Sequence, residues 1–176
     1  MGIDSNTKSI AFSIFDGKEL IHYGKIDITG QDIYEKIRDA GIKSRALCKH
    51  YKVGYIAIES SVFVKSAQVA IKMAYITGAI LAGLTSSGAD SIAIPPRTWQ
   101  QFIGNVTFTK DMKEAVVLEN PDKSSNWISN EIRKRRKQYT IDFFNNKFNI
   151  SCSDDDVSDA IGVAYYVVNN RDAIKS

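Results

Sequence analysis

Six carboxylates stand where carboxylates are costly or crowded. Glu59 closes the run Tyr55-Ile56-Ala57-Ile58, a strand-like stretch in which a lone charge is expensive to bury. Asp4 sits in Gly2-Ile3-Asp4, at the other apolar strand start. Toward the far end, Asp154, Asp155, Asp156 and Asp159 fall close together and are followed at once by Ile161, Val163, Ala164, Val167 and Val168. Asp156 and Asp159 are spaced to share one helix face. Asp155 is spaced to do the same with Asp159, so either can complete the pair. Carboxylates gathered at one point cannot all stay ionised without cations. Oxygen-only ligands suit Mg²⁺, with Mn²⁺ as a substitute, rather than zinc. Two such ions about 4 Å apart would activate water and stabilise a departing oxygen in phosphodiester hydrolysis. Asp4, Glu59, Asp156 and Asp159 are therefore the candidate metal ligands and catalytic residues. Asp154 and Asp155 suit the commoner task of capping a helix start.

The basic residues fit a phosphate-rich partner. The run Arg133, Lys134, Arg135, Arg136 and Lys137 places five cations in a row. On a helix they circle more than one turn, so some must point away from any backbone they meet. Such density beside an acidic site attracts nucleic acid largely without regard to sequence. Arg97, Lys110, Lys113 and Lys123 extend the candidate surface. Phe63 and Lys65 follow Glu59 closely, as a stacking or wedge residue and a phosphate contact. Formal net charge is +3, so the distribution of charge says more than its sum.

The elements that must position these residues are readable in outline. Ser9–Phe15 alternates and meets Asp16-Gly17, a hairpin signal, so the first three strands read as an antiparallel meander. Residues 32–51 have helical spacing, Val53–Glu59 is a short strand, and Ser66–Leu84 is a long apolar helix. Ser91–Ile94 is a strand stopped by Pro95-Pro96, and residues 104–125 look irregular. Ser125–Phe148 is a basic amphipathic helix, and a last helix starts near Asp156. Strands followed by alternating helices and strands predict a single α/β domain over 1–176. Its mixed sheet is covered on both faces.

Composition excludes other classes. The chain of 176 residues is 44% apolar and 24% charged, as in globular domains. It contains no run of 18 apolar residues, so no membrane partner is expected. Its first residues lack a basic region followed by an apolar stretch, which predicts no secretory leader and a cytoplasmic setting. Cys48, Cys152, His22 and His50 form no zinc spacing. No phosphate-binding glycine loop supports a nucleotide clamp.

Three stretches resemble the RuvC family of Holliday junction resolvases, within the RNase H-like (retroviral integrase) superfamily. Gly2-Ile3-Asp4 and the residues to Gly17 resemble the family's opening, with Asp4 as its first aspartate. Ala57-Ile58-Glu59 and the helix after it resemble the segment carrying the second acid. Asp156-Val157-Ser158-Asp159-Ala160 resembles the closing pair of aspartates. The resemblance implies an RNase H-like fold with a five-stranded mixed sheet, three strands antiparallel and then two parallel. It implies a two-ion, Mg²⁺-dependent endodeoxyribonuclease that acts as a homodimer on branched DNA, nicking two strands of a four-way junction in recombination and repair. It also implies that an aromatic after the glutamate stacks on bases, with Phe63 as the candidate. Ser5-Asn6 stands where the family has Pro-Gly, and the connection from Gly104 to Asn126 is longer. Rival readings are another RNase H-like nuclease, acting on other branched DNA or RNA–DNA hybrids, and a non-catalytic DNA-binding module.

Overall fold

The computed structural model describes residues 1–60, 66–86 and 88–174. Strands β1 (Gly2–Ser5), β2 (Ser9–Asp16) and β3 (Glu19–Asp27) form the expected antiparallel meander. Gly17 turns β2 into β3 at φ 55°, in the left-handed region that glycine enters without a Cβ clash. Strands β4 (Tyr55–Glu59) and β5 (Asp90–Ile94) add to the sheet in parallel. The order is β3-β2-β1-β4-β5.

Among the described residues, six helices cover both faces, as expected: α1 (Ile33–Tyr51), α2 (Ala67–Thr85), α3 (Pro96–Phe102), α4 (Lys110–Glu119), α5 (Ser125–Phe148) and α6 (Asp155–Ile174). Ile3, Ile56 and Ile58 share one core with Ala40 and Leu47 of α1 and Ile76, Ile80 and Leu84 of α2. Ala11 and Ala57 share the other with Trp99, Phe144 and the inner face of α6. Side chains alternate across a strand, so Ile3 and Ile58 face α1 and α2. Their neighbours Asp4 and Glu59 then face α6.

α6 lies close on the sheet. The Ser13 hydroxyl donates to the Ala160 carbonyl at 2.9 Å. A Cβ at Gly2 would stand 2.1 Å from the Ala160 oxygen and 2.7 Å from Ala164 Cβ. Only glycine leaves that space, and Asp4 lies two residues along the same face. Gly2→Ala should therefore push α6 off β1 at a cost of about 1–3 kcal/mol. A thermal melt should show a loss of roughly 3–10 °C. An unchanged melting temperature would show that α6 is not seated as described.

Two elements differ from the sequence reading. The double proline that stops β5 also starts α3, with Pro96 at its first turn, where a missing N–H costs nothing. The stretch expected to be irregular contains α4, capped by Thr109, which accepts from the Met112 N–H. α4 buries only Val116, so its periodicity was faint. α2 is, by length and composition alone, apolar enough to cross a membrane. Here Ile76, Ile80, Gly83 and Leu84 are its buried residues, and a Cβ at Gly83 would meet the Gly41 carbonyl of α1 at 2.5 Å.

Candidate active site and nucleic-acid groove

Strand register sets the first two acids side by side. Gly2 pairs with Ala57 and Ile3 with Ile58, in parallel. The next step along that ladder is Asp4 and Glu59. Across from them, the first turns of α6 carry Asp156 and Asp159, anchored by buried Val157, Ala160 and Ile161.

Electrostatics show how near these groups are. Burial pushes the Asp4 carboxyl up to about 6, with the Asp156 charge adding to the rise. Burial pushes Glu59 up to about 8, and the Asp4 charge adds to it. Asp159 also rises to about 8, from burial first and then from the charges of Glu59 and Asp4. Asp155 contributes to none of these three shifts. Asp4, Glu59 and Asp159 thus form one mutually repelling, desolvated set at the ends of the central strands, with the Asp156 charge beside them.

Neighbours hold the set apart. Lys25 of β3, a residue that no motif singles out, donates to Asp156 at 2.7 Å and to Asp154 at 2.9 Å. The Asn6 amide also donates to Asp156, at 3.1 Å. Asp154 caps α6, accepting from the Val157 N–H at 3.1 Å. Asp155 does not cap; it pairs with Lys137 of α5. The indole N–H of Trp99 donates to Glu59 at 2.8 Å. Among the described residues, no three His, Cys, Asp or Glu side chains are arranged to hold an ion as they stand. The donor set itself fits a hard divalent cation: all oxygen, with a surplus of repelling charge that a cation would relieve.

A groove of about 480 Å³ runs from the acids onto the basic helix. Glu59 and Asp159 line one side, and Arg97, Arg133, Arg136 and Lys137 line the other. The five-cation run divides by helical rotation. Arg133 and Lys134 are exposed, with no ion pair among the described residues. Arg135 is held by Glu119 at 2.6 Å and Glu131 at 3.0 Å, away from the acids. Arg136 reaches Gln100 at 2.7 Å and Asn105 at 3.2 Å, tying α5 to the end of α3. Phe63 and Lys65 lie outside the described residues.

The sheet has three antiparallel and two parallel strands, is flanked by helices, and carries acids at the ends of adjacent central strands. The family of the crossover junction endodeoxyribonuclease RuvC matches residues 1–118, and the chain belongs to that family. It is thereby an endodeoxyribonuclease that resolves Holliday junctions, and the family's nucleases depend on metal. Solved structures agree in fold. RuvC of T. thermophilus in complex with a Holliday junction substrate is 13% identical, with 98% of this chain and 94% of that one covered and a TM-score of 0.71. A second T. thermophilus RuvC structure, also 13% identical over 98% and 94% of the two chains, gives 0.63. The yeast mitochondrial Holliday junction resolvase, 13% identical over 99% and 79%, gives 0.55. No curated protein matches the sequence. The family match includes Asp4 and Glu59 but stops short of α5 and α6. Asp156 and Asp159 join the set through the fold alone.

Proposed function

We propose that Asp4, Glu59, Asp156 and Asp159 hold two Mg²⁺ ions, or Mn²⁺ in their place, and that the chain cuts four-way DNA junctions by paired nicks as a homodimer. The observation that carries this reading is the desolvated, mutually repelling set of acids opening onto a groove lined by cations. Bound there, the ions would activate water and neutralise charge on the departing oxygen. The chain's own residues do the rest. α6 and the sheet hold the carboxylates rigid, and the basic wall of α5 seats a phosphate backbone by charge. Arg97, Arg133, Arg136 and Lys137 are the groove contacts, and Lys134 lies on the same exposed turn. Arg135 keeps this role only by exchanging its carboxylates for phosphate. Phe63 and Lys65 extend the contact beyond Glu59.

Asp156 is favoured over Asp155 because it couples to all three other acids, while Asp155 is turned to Lys137. The homodimer reading draws on α2, an apolar helix that buries only Ile76, Ile80, Gly83 and Leu84 and leaves Val69, Ile71 and Tyr75 exposed.

The test compares a mobile four-way junction with a fork, a linear duplex and an RNA–DNA hybrid, in Mg²⁺. Paired nicks in the junction at a rate at least about tenfold above linear duplex, or about 1.4 kcal/mol of discrimination, are expected. Preferential cutting of the fork or the hybrid would transfer the site to a rival substrate.

A further inference from the structure

Trp99 is fully buried, yet its one polar atom is aimed at the site. The chain is built to put it there. Glu59 pairs with Ile94 at the end of the β4–β5 ladder, and the Ser60 N–H continues it to the Ile94 carbonyl at 2.9 Å. Pro95-Pro96 then ends β5 beside the glutamate and starts α3, which returns Trp99 to it within one turn. The far side of the indole rests on α6. A Cβ at Gly162 would fall 2.5 Å from Cε3 and Cζ3 of the ring, so glycine is required for the indole to fit. Gly162 lies one turn past Asp159. Trp99 thus touches Glu59 and the helix that carries Asp156 and Asp159.

We infer that Trp99 is a positioning residue: its indole N–H fixes Glu59 Oε2, and its ring sets the spacing between that glutamate and the helix carrying Asp156 and Asp159. A carboxylate in an apolar strand end has few donors to orient it. Here the indole N–H takes Oε2 and makes no claim on Oε1. Partners that orient a ligand from behind typically alter ion affinity by 10–100-fold. The inference rests on Glu59 being an ion ligand.

The experiment pairs two variants. Trp99→Phe keeps a ring but deletes the donor. Its Mg²⁺ midpoint for junction cleavage should rise about tenfold, while the rate at saturating Mg²⁺ falls far less. General damage to the fold would lower the rate at every Mg²⁺ concentration. Trp127→Phe leaves Trp99 as the only indole, since the chain has two tryptophans. Its emission should then change saturably on titration with Mg²⁺, in parallel with the ion-induced rise in melting temperature. Adding Glu59→Gln should abolish the change. If Mg²⁺ raises the melting temperature but leaves both the Trp99 emission and the Trp99→Phe midpoint unaltered, Trp99 has no such role and the ion site stands. If Mg²⁺ produces no rise in melting temperature in the unsubstituted protein, the ion site and the inference fall together. Should Trp99→Phe fail to fold, the emission titration decides.

Discussion

Asp4→Asn and Asp159→Asn should each lower Mg²⁺-dependent junction cleavage at least about 10³-fold, on the order of 4 kcal/mol in barrier, with junction binding retained. The substitution preserves shape but replaces a charged oxygen ligand with a neutral amide. Among the described residues, Asp4 and Asp159 are the two members of the set without a cationic or indole hydrogen-bond partner, so little else is disturbed. Binding should survive because the groove's cations belong to α5 and α3, elements other than those carrying these acids. Cleavage is followed on a labelled junction, and binding by gel shift in Ca²⁺ or without divalent ions. Cleavage that persists within tenfold in both variants would remove these acids from the reaction. Loss of binding together with cleavage would mean a structural role instead.

The same acids should make the ion-free protein less stable as pH rises. Asp4 is raised to about 6, and Glu59 and Asp159 to about 8. Each is thus protonated more readily in the folded chain than in the unfolded one. The folded state then binds more protons than the unfolded state, and stability declines with increasing pH. The favourable contribution is complete below about pH 4 and is lost as pH climbs through 6 and 8. A melting temperature measured in EDTA should fall by roughly 5–10 °C over that interval, beyond the trend of the rest of the chain. Millimolar Mg²⁺ should restore most of the loss at pH 8, because ion binding to the folded state stabilises it by mass action. Asp159→Asn should melt higher than the unsubstituted protein at pH 8 in EDTA, and should flatten the profile. A profile that is flat, or that rises through this range, would contradict the burial and repulsion described for the set.

How much of this was visible beforehand depends on the kind of signal each residue leaves. Glu59 was conspicuous because an apolar strand rarely ends in a carboxylate without reason. The β2–β3 turn was legible through Asp16-Gly17, and the α2 and α5 helices through their length. The partners of the site were not. Lys25 sits on a half-exposed strand that reads as an ordinary edge, and nothing in its neighbours points across the sheet to Asp156. Trp99 lies in a seven-residue helix, too short for periodicity to declare a buried face. The run from Arg133 to Lys137 gave the charge but not its division. Each step along a helix turns the side chain by about 100°, and only the packed structure says which step meets Glu119, Gln100 or the groove. Among the capping aspartates, Asp154 met expectation, whereas Asp155 was claimed by Lys137, a residue on another helix.

The contact between Gly2 and Ala160 joins β1 to α6. Two of the four acids belong to the first 59 residues, and the other two arrive only with the closing helix. A polypeptide still being synthesised, or one clipped ahead of α6, holds a pair of repelling carboxylates and a bare strand face. On the proposed chemistry it cannot cut. On that reading α6 is the element that completes the ligand set.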